Sequence, residues 1–214
     1  MSSADDLEMV PGDIAPAVAE EFPDLRLFSA VVEAGTGKSP PDLKERLEHM
    51  SGRFRGADAV NMRQKPIPWA YRVFFRHIGI DPDDERTPVE AVALERLLEG
   101  GYKSRNLLED ALTIAVAETG VPVWALDADV VGADLEIREA SEYEPFAPTV
   151  WLPKGRLVVA DGEGPVCELF GAVAPGREVT KATTRTRLFT VQVAGVPPIH
   201  VEEAMWTVAE ILLG

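Results

Sequence analysis

Thr113, Trp124 and Asp127 bring a hydroxyl, a flat aromatic ring and a carboxylate into one short stretch of chain. Converging on one pocket, such groups would orient a ligand or a water while the ring stacks on an aromatic partner. Ahead of them runs a polar lead-in, Lys103-Ser104-Arg105-Asn106, whose Arg105 and Asn106 are candidate substrate contacts or, more simply, helix caps. Simpler readings exist for the others too. Thr113 fits back-bonding to a carbonyl four residues earlier, Trp124 fits core packing, and Asp127 and Asp129 fit a turn. Other chemistries find little support. His49, His77 and His200 are scattered, and Cys167 has no nearby partner, so no metal-ligand spacing arises. Cys167, on an alternating stretch, reads as a small core residue. No Gly-x-Ser-x-Gly marks a hydrolase elbow. Gly35-Thr36-Gly37-Lys38-Ser39 lacks the first glycine of a phosphate loop, because Val32 stands there, and two prolines follow where its helix would begin. No metal or cofactor is expected.

The elements that must position these residues are legible. Leu107, Leu108, Ala111, Leu112, Ala115 and Val116 recur at helical spacing, with Ser104 or Asn106 as cap and Glu109 and Asp110 near the positive end of the dipole. Gly120 suits the left-handed helix end and Pro122 sets the chain extended into Trp124. Upstream, Asp13 is expected to cap a short helix through Glu21, Leu25 to Val32 reads as a strand, and Pro41 to Arg55 reads as a charged outer helix. Pro66 to Ile78 is apolar enough for a core helix, and Thr87-Pro88-Val89-Glu90 starts another that stops at Gly100-Gly101. After Trp124 the period changes. Leu135 to Arg138, Leu157 to Ala160, Val166 to Phe170 and Leu188 to Val193 read as strands, with Asp161-Gly162-Glu163-Gly164 as a hairpin turn. A final helix spans His200 to Leu213. The expected fold is α+β: a mobile arm over residues 1–12, then one domain over 13–214 with a mixed sheet layered with helices.

Composition bounds the function. Asp and Glu number 36 against 21 Lys and Arg, a net charge of −15 that repels phosphate backbones at long range. The segment Lys154 to Arg187 is the exception, with more basic than acidic residues. Within it, Thr180 to Arg187, which includes Thr184, reads as a solvated loop or an anion-contacting rim. A single cysteine fits a reducing compartment. With no secretory pattern at Met1-Ser2-Ser3 and no apolar run near the ~20 residues that span a bilayer, a soluble cytoplasmic protein is expected. Neither membrane nor DNA is an expected partner.

The order of several short motifs also carries a resemblance. Ala70-Tyr71-Arg72-Val73-Phe74-Phe75-Arg76-His77-Ile78-Gly79, then Ile80-Asp81-Pro82, the Arg86 to Ala91 helix start, and the run from Asn106 to Asp129 look like the B3/B4 module of the phenylalanyl-tRNA synthetase beta chain. They look closer still to free-standing bacterial proteins built from that module. Leu157 to Gly162 and the Thr180 to Thr186 segment extend the similarity over most of residues 20–212. The resemblance implies a B3/B4 fold and an editing activity that hydrolyses tRNA wrongly charged with tyrosine. It makes tRNA, aminoacyl-tRNA or a small aromatic ligand the expected partner. It places the family's Thr-Asn pair on Leu112 and Thr113, its pocket histidine on Trp124, and its glutamate nearest to Glu178. On this basis Glu178 and Thr113 are the candidate catalytic residues, and Arg105, Asn106, Trp124, Asp127 and Thr184 the candidate substrate contacts. Tryptophan cannot accept a proton as histidine does. Two functions follow: a deacylase of mischarged aminoacyl-tRNA, or a non-catalytic module that keeps the fold and binds a small ligand or a protein.

Overall fold

The computed structural model describes residues 7–53 and 62–214, so the expected helix end at Arg55 lies outside the described residues. Strands and helices segregate into two compact units, one of residues to Gly35 with Trp124–Gln192, the other of Thr36–Val123 with Val193–Gly214. The α+β class is as expected.

The strand unit contains β1 (Val10–Pro11), β2 (Asp13–Ile14), a short helix α1 (Pro16–Glu21), β3 (Arg26–Val32) and most of β4 (Val123–Asp127). It continues with β5 (Glu136–Glu139), β6 (Glu144–Ala147), β7 (Val150–Leu152), β8 (Leu157–Asp161), β9 (Gly164–Glu168) and β10 (Thr186–Gln192). One sheet runs β1-β3-β10-β4; a second, β2-β5-β8-β9, is mixed because β2 pairs parallel to β5 while β5, β8 and β9 pair antiparallel. Much of their buried surface is apolar, with Ile137, Val158, Val159, Val166, Leu188 and Val191 all at 0% exposure.

Three features differ from the expected pattern. Val10 and Pro11 pair with Ser29 and Phe28, so these residues of the expected arm belong to a sheet. Asp13 does not cap α1: its amide donates to the Leu135 carbonyl at 2.9 Å within β2, and Ala15 occupies the N-cap without a side-chain bond. Gly12 makes this possible, since a Cβ there would lie 2.7 Å from the Leu135 oxygen. The chain therefore pairs before Pro16, with its fixed φ, opens the helix. The third is the two-stranded ribbon β6–β7, whose alternation is broken by Pro145, Pro148 and Pro153.

That ribbon is anchored electrostatically. Arg138 grips Glu144 with two parallel bonds of 2.6 and 2.9 Å, and the Ser141 amide donates to the same carboxylate. The Arg138 guanidinium holds the Glu144 carboxyl well below the ordinary glutamate value of 4.5, at about 2. A pKa depressed in the folded state stabilises above the unfolded pKa, and that stability is lost as pH falls. Glu144→Gln should therefore lower Tm at neutral pH but leave it nearly equal to wild type near pH 2, with the difference closing below about pH 4.5. Thermal scans across that range check this.

The helical unit is built from α2 (Pro41–Arg53), α3 (Pro66–His77), α4 (Pro88–Glu99), α5 (Leu107–Thr119) and α6 (Pro198–Leu213). Each of α2, α3, α4 and α6 opens on a proline, whose missing amide would be unpaired in a first turn anyway. Gly100 at φ 71° and Gly120 at φ 78° terminate α4 and α5 in the left-handed conformation. Leu43, Leu47, Tyr102 and Ile114 form one apolar cluster, and Met62, Val89, Ala93 and Val116 another. The apolar face of α3 buries Tyr71, Phe74 and Phe75, while Trp69 stays half exposed. No helix among the described residues is long and apolar enough to cross a membrane.

Candidate functional site

The expected site residues divide between the units. In the helical unit Arg105 and Thr113 share a cleft of about 200 Å3, with Glu95, Glu99, Tyr102 and Glu109 also on its walls. Thr113 is half-buried. Arg105 reaches Glu95 directly, Glu99 at 3.7 Å and Glu109 at 3.5 Å, and these carboxylates raise its pKa, with Glu95 the largest contributor. Its charge is matched internally, and Arg96 and Lys103 on the same walls bring the lining to three acids and three bases. Asn106 is the α5 cap: its Oδ1 accepts the Glu109 amide at 3.0 Å, and its amide nitrogen donates to the Glu109 carboxylate at 2.7 Å. Behind it sits a first-turn acid whose part goes beyond favouring the helix dipole. Asp110 is 1% exposed and accepts the Ser39 hydroxyl at 2.5 Å, the Ser104 hydroxyl at 2.7 Å and the Arg105 amide at 2.8 Å. It ties the polar lead-in and the Gly35–Ser39 loop to the first turn of α5.

In the strand unit Trp124 is half-buried on β4. Its ring stacks on Phe189 at 5.4 Å with an interplanar angle of 13°, and meets Phe170 edge-on at 5.8 Å. The indole N–H donates to the Gly171 carbonyl at 3.1 Å. Phe170 adopts φ 60°, a region costly for a bulky residue, so the surrounding turn holds its ring against Trp124. Phe189 was legible as an inward position of its strand, but its role as the floor beneath Trp124 was not.

Asp127 follows at the end of β4. Its carboxylate accepts the Thr183 hydroxyl at 2.5 Å and the Asp129 amide at 3.0 Å, a turn built by a side chain. An isolated bridge between Leu126 and Glu178 brings the Glu178 backbone alongside. The Glu178 side chain is exposed and curls back to accept the Gly176 amide at 2.5 Å. Thr184 is exposed next to buried Thr183, and the segment ends earlier than expected because Thr186 and Arg187 already belong to β10. Gly35 permits this: a Cβ there would run into the Thr183 carbonyl. Thus the fold groups Trp124, Asp127, Thr183 and Glu178 around β4, and Arg105 with Thr113 in the cleft.

The arginines of the Lys154 to Arg187 segment are largely paired with acids. Arg156 pairs with Glu168 at 3.0 Å, Arg177 with Glu163 at 2.7 Å, and Arg185 with Glu33 and Asp129 at 3.0 and 2.9 Å. Cys167 is fully buried, and desolvation raises its thiol pKa, consistent with a packing role. The described His, Cys, Asp and Glu residues form no cluster able to hold a metal.

The arrangement of motifs around α5 and β4 is matched by the B3/4 domain family over residues 70–207. The chain belongs to that family. The phenylalanine–tRNA ligase beta subunit of Psychrobacter arcticus is 33% identical over 95 residues, covering 42% of this chain and 12% of the relative. The chain thus corresponds to a small part of that subunit. The B3/4 match begins at Ala70 inside α3, so the resemblance expected from residue 20 holds from there onward. It takes in α5, β4 and β10, the elements that carry Thr113, Trp124 and Arg187.

Proposed function

We propose that this B3/4 domain acts at the aminoacyl end of tRNA, hydrolysing the ester of a mischarged, aromatic aminoacyl-tRNA. Membership of the B3/4 family, together with similarity to a phenylalanine–tRNA ligase beta subunit, is the observation that carries it. In this reading Trp124 stacks on the aromatic group, and Glu178, bridged by its backbone to the same strand, orients substrate or water. Water adds to the ester carbonyl, the terminal ribose hydroxyl leaves with its proton restored, and free amino acid departs. No side chain need act as nucleophile, since a positioned water and the neighbouring ribose hydroxyl supply the reacting groups. Asp127 and Thr184 serve as substrate contacts or as supports for that geometry, and Arg105, Asn106 and Thr113, which belong to the helical unit, take no part in it.

A second reading, ligand binding without hydrolysis, is favoured by one specific observation. Trp124 stands where the family resemblance puts a histidine, and its N–H is already committed to Gly171. An indole has no basic nitrogen to take a proton. The deciding experiment is deacylation of tyrosyl-tRNA and other noncognate aminoacyl-tRNAs by wild type and Glu178→Ala. Hydrolysis that falls by roughly 10²-fold in the variant supports the catalytic reading. Hydrolysis unchanged in the variant removes Glu178 from its role, and none in wild type leaves the binding reading. The charge of −15 predicts weak tRNA affinity with a clear salt slope.

A further inference from the structure

Among the described residues, the charge on Arg187 has no counter-charge beside it. It sits on β10, one register step before Phe189 on the same face, and is half-buried. Its neighbours in the basic segment, Arg156, Arg177 and Arg185, each face a carboxylate. Among the described residues no carboxylate comes within salt-bridging distance of Arg187. Its Nε is sealed from solvent with no hydrogen-bond partner, and Nη1 reaches only the Ser29 hydroxyl, at a long 3.5 Å. Burial lowers its pKa, the charge of Arg185 lowers it further, and exposed Asp134 pulls weakly the other way.

A desolvated guanidinium with an idle donor is costly, and proteins keep one where something pairs with it. The backbone carbonyls of the adjoining ladder already accept ladder amides, since β3 and β10 are in full register from Thr186–Val32 to Gln192–Arg26. Ser29 is 4% exposed and directly opposite Phe189, so its hydroxyl is fixed beside the guanidinium and free to donate to an anion. A planar fork next to a hydroxyl matches the two oxygens of an oxyanion. We propose that Arg187 and Ser29 form a binding site for a small oxyanion, a phosphate or a carboxylate group, on the β3–β10 face. This site does not depend on the deacylase reading.

The test uses the full chain, 15N-labelled, titrated with inorganic phosphate and separately with acetate, with chloride as the ionic-strength control. Saturable movement of the Arg187 Nε–H resonance with either anion and not with chloride is expected. The anion that acts at lower concentration assigns phosphate or carboxylate. Arg187→Gln should weaken the anion's effect on Tm roughly tenfold or more in concentration. Its Tm without anion should stay level or rise, because an unpaired desolvated charge has been removed. Asp134→Asn should leave binding intact or tighten it. The proposal is overturned if neither anion moves the resonance. It is equally overturned if Arg187→Gln lowers the anion-free Tm, which would make the guanidinium a structural brace. The third overturning result is anion binding that appears only in Asp134→Asn, which would make Asp134 its partner.

Discussion

Arg72→Met is expected to cost about 3–5 kcal/mol of unfolding free energy, the range for breaking a buried ion pair from one side. Arg72 on α3 and Glu90 on α4 are each 4% exposed and bond at 2.6 Å. The other oxygen of Glu90 accepts both the Thr87 amide at 3.3 Å and the Thr87 hydroxyl at 2.9 Å, and Thr87 is 0% exposed. One carboxylate therefore fixes the start of α4 and its approach to α3. Without the guanidinium it would remain buried, facing a methionine. For a chain of this size the loss corresponds to a fall in Tm of about 10 °C. Arg63, 3.0 Å from the same carboxylate but half exposed, should compensate little. The double substitution Arg72→Met with Glu90→Leu should recover part of the loss, since no unpaired charge is then buried; thermal unfolding of wild type, each single variant and the double variant measures it. A double variant as unstable as the sum of its single changes would show that the two residues act independently.

Asp110→Ala is the second large effect, expected at about 3 kcal/mol from the loss of hydrogen bonds to a buried charged acceptor. Its distinguishing mark is location. Ser39, 4% exposed, would be left with an unsatisfied hydroxyl, and the Ser104 and Arg105 anchors would be cut together. The Arg105–Thr113 cleft should loosen before the unit unfolds. Hydrogen exchange should speed up at Arg105 and through the first turn of α5, with β8 and β9 unchanged. Uniform acceleration across both units would instead mean that Asp110 contributes only to global stability.

Why was Asp110 legible only as an acid near the helix dipole, while Asn106 was legible in its role as a cap? Asn106 acts on the amide three residues ahead, so a local pattern names it. Asp110 binds Ser39 across 71 positions, a pairing that spacing cannot encode. The same distinction covers Arg187. Its place on the inward register of β10 follows from the alternation of Phe189 and Val191, and a charge in that row was a usable warning. That no acid meets it depends on where Asp134 and Asp129 come to rest. Glu178 shows the converse: resemblance picked the residue, but the turn that folds its carboxylate onto Gly176 is a tertiary outcome.

From the amino-acid order alone came the helices, bounded by prolines and left-handed glycines, the strands of alternating apolar residues, and the resemblance to the B3/B4 module. These rest on short-range periodicity and backbone preference, which are local quantities. Folding in three dimensions decided which charges meet. It joined Arg72 to Glu90, hung the β6–β7 ribbon on Arg138, locked Trp124 between Phe189 and Gly171, and left the Arg187 guanidinium without an acid among the described residues. Electrostatic pairing depends on distances between segments remote in sequence, and only the folded chain sets those distances.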